Sequence, residues 1–163
     1  MTKEEQYKEL VAQVASVVAG ETDMIANMAN VAAILHETFG FWWTGFYRVQ
    51  NTDRYQVDLR VQTELVLGPF QGPLACTRIP FGKGVCGTAW AKNETLIVPN
   101  VHEFAGHIAC SGESNSEIVV PVRQNGEVIA VLDIDSKEFS TFDKIDKEYL
   151  EAIADCLSGA RTY

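Results

Sequence analysis

The chain has 163 residues, of which 47% are hydrophobic and 21% charged, with a formal net charge of −9. This negative charge disfavours partners such as nucleic acid or anionic membrane surfaces. No apolar stretch approaches the roughly 20 residues that span a bilayer, and the charged N-terminus lacks the apolar core of a signal peptide. We therefore expect one cytoplasmic domain over residues 1–163, whose cysteines form disulfides only transiently.

Two helices are predicted at the start of the chain. Apolar residues recur at helical spacing over residues 4–19 and again over 25–35. Thr22 or Asp23 is expected to cap the second helix, and Gly40 to end it. We interpret both apolar stripes as packing surfaces of a core or of a dimer.

Aromatic and β-branched residues then predict several short strands and one short helix. In chain order these are a strand that begins at Trp42, strands over 55–61 and 64–67, a helix over 85–91 and a strand over 96–98. A loop of about 18 residues follows over 99–116, and loops of that length in compact domains are typically functional or disordered.

A hairpin is predicted next. Strand-like residues 117–123 and 127–135 flank Asn125-Gly126, the residue pair that a type I′ turn prefers. Pro121 indicates a sheet edge or a bulge in the first of these strands.

The last predicted element is a helix over about residues 141–159, capped by Ser140 or Thr141. Cys156 lies on its inner face, and we assign it to the core because a buried thiol behaves as a small apolar side chain. The order of elements predicts an α+β fold. In that fold a central antiparallel sheet carries the N-terminal and C-terminal helices largely on one face.

The other three cysteines lie within 35 residues, in Gly-rich segments that a small molecule could reach. Cys76, Cys86 and Cys110 are 10 and 24 residues apart, which does not match the C-x-x-C spacing of zinc or thioredoxin-type motifs. Cys110 lies in the long loop, where a nucleophile can be exposed and oriented. Cys76 is accessible, which is what a resolving thiol needs.

Cys86 is ambiguous from its sequence position. It opens a short helix after Lys83, and a helix N-terminus beside a basic residue would lower the pKa of a thiol. The same helix start could bind an anion instead, or Cys86 could simply pack beneath the turn. His107, three residues before Cys110, is a weaker candidate to activate that thiol.

Three acidic residues lie at one end of the predicted hairpin. Asp133 and Asp135 alternate in the sequence, so their side chains point to the same face of a strand. Glu117 begins the partner strand, although counting from the turn does not place it directly opposite them. Such carboxylates repel each other unless a cation lies between them, so a metal or an ammonium group would suit this position. A solvated strand end is the simpler alternative.

Five segments together resemble the free methionine-R-sulfoxide reductases, which are GAF-domain enzymes. They are WTGFY (43–47), ELVLGPFQGPLACTRIPFGKGVCGTAW (64–90), VHEFAGHIAC (101–110), SNSEIVVPV (114–122) and VLDIDS (131–136). The resemblance covers nearly the whole chain and implies a GAF fold, often a homodimer, that reduces free methionine-R-sulfoxide rather than a protein side chain. Two departures are a longer segment over 50–63 and Ser111, where an aspartate commonly follows the nucleophile.

The resemblance assigns roles to the cysteines. Cys110 matches the usual nucleophile, and Cys76 and Cys86 match the thiols that resolve it. A thiolate would attack the sulfoxide sulfur, and the resulting Cys110 sulfenic acid would condense with a second thiol to a disulfide. A dithiol such as thioredoxin would reduce that disulfide, with no cofactor or metal expected. Two points stay open. One is which of Cys76 and Cys86 resolves the sulfenic acid first, and the other is whether Cys86 is itself the thiol that attacks the substrate.

The resemblance also assigns the pocket. Glu117, Asp133 and Asp135 match acids that hold the substrate, and Trp43 and Tyr47 match aromatic residues that wall it. Repulsion within an acidic cluster raises the pKa of one member. We take Glu117 as the proton donor and the two aspartates as the site for the substrate ammonium, a charge that a peptide nitrogen lacks.

Two alternatives belong to other classes of protein. A regulatory GAF module would bind a cyclic nucleotide or another small molecule without turning over methionine-R-sulfoxide. A zinc site would draw on Cys76, Cys86, Cys110 and His107 and would carry one zinc per chain. The three acids favour a substrate pocket that binds a cation over a Cys-rich structural zinc.

Overall fold

The computed structural model describes residues 1–52, 63–108 and 112–159. The described helices are α1 (Lys3–Val18), α2 (Met24–Phe39), α3 (Gly84–Lys92) and α4 (Lys144–Leu157). The described strands are β1 (Trp43–Asn51), β2 (Thr63–Gln71), β3 (Arg78–Pro80), β4 (Leu96–Val98), β5 (Ser116–Gln124) and β6 (Glu127–Ser136). The strand predicted over 55–61 and most of the longer segment over 50–63 lie outside the described residues.

The six described strands form one antiparallel sheet in the order β3-β2-β1-β6-β5-β4. The long strands β1, β6 and β5 occupy its centre, and the three-residue strands β3 and β4 form its edges. Strand β3 was not predicted, because three residues between Gly- and Pro-rich segments show no alternation to detect.

Each face of the sheet has its own apolar core. Helices α1, α2 and α4 pack on one face through residues such as Leu10, Leu35 and Leu150, which are fully buried against Phe46 and Leu132 of the sheet. Helix α3 and the neighbouring loops cover the opposite face. The prediction of an α+β fold with helices largely on one face is therefore confirmed. No helix in the described ranges is long and apolar enough to cross a bilayer.

The ends of α2 follow the predicted signals. The Asp23 side chain accepts a hydrogen bond from the Ala26 amide, and Gly40 ends the helix with a φ of 63°. The helical spacing predicts an inner face of Ile25, Met28, Ala29, Ala32 and Leu35. Met28, Ala32 and Leu35 are buried as predicted, but Ile25 and Ala29 are exposed. The other buried residues of α2 are Met24, Asn27 and Val31.

Helix α4 begins later than predicted, after Asp143 rather than Ser140 or Thr141. The Asp143 side chain accepts hydrogen bonds from the amides of Ile145 and Asp146, and the Asp146 side chain accepts one from the Asp143 amide. This reciprocal cap satisfies amides that the first turn would otherwise leave unpaired.

The side chain of Asp146 also joins the first helix to the last. It is fully buried and accepts a 2.7 Å hydrogen bond from the Tyr7 hydroxyl. Lys3 forms an ion pair with the same carboxylate. One acidic side chain therefore caps α4 and fixes α1 against it.

The hairpin of β5 and β6 contains the predicted turn and a bulge. Asn125 and Gly126 have φ values of 53° and 81°, as a type I′ turn requires. A register shift between Val122 and Arg123 leaves one additional residue, Ile129, in β6, so the bulge lies in the second strand of the hairpin and not in the strand of Pro121. Because of this shift Glu117 pairs directly with Asp135. In a regular hairpin the partner of Glu117 would be the residue next to Asp135, whose side chain points to the opposite face of the sheet. The count from the turn was therefore wrong.

Candidate active site

The three acids lie on one face of the sheet centre, in two adjacent rows. Trp43, Asp135 and Glu117 are paired across three neighbouring strands, and Gly45 pairs with Asp133 in the next row. Paired residues point to the same face, so the carboxylates converge beneath α3. Gly45 leaves room there, because a Cβ at that position would lie 2.7 Å from the Trp43 ring and 2.3 Å from Phe70.

Burial governs the charges of these acids. Glu117 and Asp133 are only 5% and 6% exposed, and loss of solvent raises the pKa of all three carboxyls. The neighbouring aspartates raise the pKa of Glu117 further, to well above its usual range. Hydrogen bonds with Glu117 and Cys86 oppose the rise in the pKa of Asp133. The arrangement therefore favours a protonated Glu117 beside a more readily ionised Asp133.

One oxygen of this cluster accepts no hydrogen bond from the described residues. Asp133 Oδ1 is buried and has no hydrogen-bond partner among the described residues. The Cys86 thiol lies 4.0 Å from Glu117 Oε1, and His107 Nε2 lies 3.9 Å from Glu117 Oε2. A buried carboxylate oxygen without a donor is costly, so this position suits a bound cation.

Ser114 orients the third acid. Its hydroxyl donates a 2.8 Å hydrogen bond to Asp135 Oδ1, and this contact opposes the rise in the pKa of Asp135 caused by burial and by Asp133. Ser114 could not be singled out from the sequence as a contact of Asp135, since it lies in a polar loop without periodicity.

Trp43 and Tyr47 hold the segment that carries Cys76. Trp43 Nε1 donates a 3.0 Å hydrogen bond to the carbonyl oxygen of Pro73, and the Tyr47 hydroxyl donates one of 2.9 Å to that of Cys76. Gly72 allows the segment to approach, because a Cβ there would lie 2.7 Å from the Trp43 ring, and its φ is 136°. The two aromatic rings stack with centroids 6.0 Å apart.

The cysteines have different environments. Cys76 is half-buried and disulfide-bonded, so it is not available as the zinc ligand of the alternative considered above. Cys156 is a free thiol packed against the helical core, in agreement with its assignment. Cys110, predicted as the nucleophile, lies outside the described residues.

Of the interpretations left open for Cys86, the structure contradicts a lowered thiol pKa and agrees with packing beneath the turn. Cys86 lies in the first turn of α3, as predicted, but it is only 3% exposed. Burial, followed by the charges of Asp133 and Glu117, raises the pKa of its thiol well above the usual range. Burial and the nearby acids outweigh the helix N-terminus, because the thiol lies 4.0 Å from the Glu117 carboxyl whereas Lys83 is exposed to solvent.

A single cavity brings the predicted pocket residues together. Glu117, Asp133, Asp135, Trp43 and Tyr47 all line it. Its wall also contains residues that the sequence did not single out for the pocket, which are Trp42, Leu74, Ala75, Ile79, Gly84, Val85, Cys86, His107, Ile108 and Ser114. The cavity thus combines an acidic floor with an aromatic and aliphatic wall, a combination suited to a small ligand that carries both a cation and an apolar chain.

The sheet flanked by helices and the cavity above its centre define a GAF domain. The family model of the GAF domain matches residues 23–160, and the chain belongs to this family. A GAF domain-containing protein A of Dictyostelium discoideum is 53% identical over 152 residues, which are 93% of this chain and 90% of the relative.

Two further relatives identify the group within the family. The free methionine-R-sulfoxide reductase of Escherichia coli is 44% identical over 154 residues, 94% of this chain and 87% of the relative. A solved structure of free methionine-R-sulfoxide reductase from Neisseria meningitidis in complex with its substrate is 52% identical, with a TM-score of 0.87 over 97% of this chain and 89% of the other. Within the GAF family, the chain belongs to the free methionine-R-sulfoxide reductases, which are oxidoreductases.

Proposed function

We propose that the chain reduces free L-methionine-(R)-sulfoxide to L-methionine. The observation that carries this proposal is the acidic trio on the floor of a cavity walled by Trp43 and Tyr47, in which Glu117 and Asp133 are buried and Asp135 is half-buried. A trio of this kind needs a cation, and the ammonium of a free amino acid supplies one. The relatives that are named for this reaction add independent support.

The two aspartates bind the substrate ammonium in this proposal. Asp133 Oδ1 has no donor within the described part of the chain, so an ammonium hydrogen satisfies it. Asp135 is already oriented by Ser114 and supplies a second acceptor. The aromatic wall contacts the methyl sulfoxide end of the substrate, since sulfur and methyl groups pack favourably against aromatic rings.

Cys110 is the proposed nucleophile, and Glu117 the proposed acid. The Cys110 sulfur attacks the sulfoxide sulfur to form a transient sulfur–sulfur bond. The oxygen then passes to the Cys110 sulfur as the sulfur–oxygen bond of the substrate and the transient bond break, and methionine leaves. The oxygen and one proton remain on Cys110 as a sulfenic acid, so methionine sulfoxide is reduced by two electrons and the cysteine is oxidised by two. Glu117 suits the transfer of a proton to the departing oxygen, because burial and its acidic neighbours raise its pKa and so favour its protonated form.

The second step is a condensation, for which we propose Cys76 as the resolving thiol. Its sulfur displaces the hydroxyl of the sulfenic acid, so one disulfide and one water form. Cys76 is the disulfide-bonded cysteine of the described residues, whereas Cys86 is a free, buried thiol whose raised pKa makes it a poor nucleophile. Cys86 would then contribute to the pocket wall rather than to electron transfer.

The reductant that completes the cycle is a dithiol in this proposal. Thioredoxin, or a similar dithiol, reduces the disulfide and is itself oxidised to a disulfide, which restores both thiols of the enzyme. A homodimer and a cytoplasmic location stay predictions that accompany this function.

The decisive assay combines the protein with methionine-(R)-sulfoxide and dithiothreitol and measures methionine. Continued production of methionine is the expected result, and absence of turnover with intact binding would favour the regulatory GAF module instead. In a single turnover without reductant, we expect Cys110→Ser to release no methionine. Cys76→Ser and Cys86→Ser should each release about one methionine per chain, and only Cys76→Ser should fail to form the disulfide.

A further inference from the structure

We propose that the acidic pocket also binds a divalent cation of borderline softness, such as Zn²⁺, through Cys86, Glu117 and Asp133. One ligand atom from each residue, a thiol sulfur and two carboxylate oxygens, lies within 4.8 Å of the others. With bond lengths of about 2.0–2.3 Å, ligands of a tetrahedral zinc are roughly 3.3–3.8 Å apart. Small side-chain rotations therefore bring these three atoms to bonding distance around one ion.

The unpartnered oxygen of Asp133 is an independent indication of a bound cation. Asp133 is 94% buried, yet its Oδ1 accepts no hydrogen bond from any residue that the structure describes. Nearly all buried oxygens of this kind are satisfied by a donor or an ion. The carboxyl group of Asp133 belongs to the same cluster as the Cys86 thiol and the Glu117 carboxyl.

The mixed donor set selects the class of ion. A thiolate favours Zn²⁺ or Cd²⁺ over Mg²⁺ and Ca²⁺, which prefer oxygen ligands alone. His107, whose Nε2 lies 3.9 Å from Glu117 Oε2, can supply an imidazole as a fourth ligand. On binding, the metal displaces the Cys86 thiol proton and any carboxyl proton to solvent, so no oxidant or reductant is needed.

The ion and the substrate ammonium then compete for the same oxygen of Asp133. We therefore expect Zn²⁺ to inhibit competitively rather than to serve as a resident cofactor. This consequence rests on the proposed function, whereas the binding of the metal does not.

A cadmium titration tests the binding directly. The full-length Cys76→Ser/Cys110→Ser variant retains only the thiols of Cys86 and Cys156, and the ultraviolet band of a cadmium–thiolate bond reports ligation. We expect this band to saturate at one Cd²⁺ per chain. Adding Cys86→Ser should abolish it, and adding Cys156→Ser, the matched control, should leave it unchanged.

A second variant separates the pocket from simple thiol binding. Asp133→Asn keeps the Cys86 thiol and the size of the side chain, and we expect it to weaken Cd²⁺ binding at least about tenfold. Circular dichroism and thermal melting establish that each variant is folded. The proposal is overturned if no stoichiometric band forms, if the band survives Cys86→Ser, or if folded Asp133→Asn binds Cd²⁺ as tightly.

Displacement by substrate distinguishes this inference from the proposed function. Methionine-(R)-sulfoxide should raise the apparent Kd of Cd²⁺ in proportion to its concentration. Saturable cadmium binding that substrate does not displace would support the metal site and contradict the assigned substrate position. Turnover of substrate without stoichiometric cadmium binding would overturn the metal site and leave the reductase function standing.

Discussion

The hydroxyl of Tyr47 donates a 2.9 Å hydrogen bond to the carbonyl oxygen of Cys76. Trp43 makes an equivalent bond to Pro73 three residues earlier. The aromatic residues that line the cavity therefore also position the segment that carries a disulfide-bonded cysteine. In the proposed cycle, this arrangement couples the substrate pocket to the resolving step.

Tyr47→Phe should slow the resolving step more than the first step. The variant keeps the ring but loses a hydrogen bond worth about 0.5–1.5 kcal/mol, so we expect disulfide formation to slow roughly 2- to 12-fold. Rapid-quench measurement of methionine and of free thiols separates the two steps. Tyr149→Phe, whose hydroxyl contacts Glu4 on the exposed surface, is the matched control. Equal slowing of both steps would contradict a positioning role.

Ser114→Ala should weaken substrate binding. It removes the 2.8 Å hydrogen bond that orients Asp135 and opposes the rise in its pKa, so fewer Asp135 side chains are ionised and correctly directed. We expect KM to rise about fivefold with little change in kcat, as the loss of a hydrogen bond of about 1 kcal/mol implies. Steady-state kinetics measure this, with Ser16→Ala on the exposed face of α1 as the control. An unchanged KM would count against Asp135 as a substrate ligand.

Glu117→Gln should lose activity and gain stability. The raised pKa means that the folded chain retains the Glu117 proton to a higher pH than the unfolded chain. As the pH rises above about 4, the ordinary value for glutamate, the wild type therefore loses free energy of unfolding, and glutamine removes that loss. At neutral pH we expect the variant to be more stable by about 1 kcal/mol.

Thermal melting from acid to neutral pH measures this difference. It should vanish in acid, where both states of the wild type are protonated, and grow towards neutral pH. Glu9→Gln, at an exposed position on α1, should show no such trend. A Glu117→Gln variant that is less stable than the wild type at neutral pH would show that the carboxyl is stabilised as an ion instead.

The sequence predicted features that depend on a few neighbouring residues. The capping aspartate and terminal glycine of α2 were visible because such signals act within one helical turn. The bulge at Ile129 of β6 was not visible, and it sets the register in which Glu117 pairs with Asp135. The environment of Cys86 in α3 could not be predicted either, because the acids that raise the pKa of its thiol come from β5 and β6. Long-range pairing of this kind leaves no periodic signal in one sequence.

Asp146→Ala should destabilise the fold without altering the pocket. The substitution leaves the Tyr7 hydroxyl without its partner, breaks the ion pair with Lys3 and removes half of the α4 cap. We expect a loss of about 3–5 kcal/mol in the free energy of unfolding, the usual cost of breaking a buried ion pair. Urea titration measures it, and Tyr7→Phe should cost only about 1–2 kcal/mol. Similar losses for the two variants would contradict a central role for the carboxylate.

The central claim is that the acidic trio selects a substrate with a free ammonium. The most direct test compares kcat/KM for methionine-(R)-sulfoxide with that for its N-acetyl derivative, which has the same sulfoxide but no positive charge. We predict a preference for the free amino acid of at least about 100-fold, since the acetylated nitrogen leaves buried carboxylates unpaired. Comparable values for the two compounds would contradict the account.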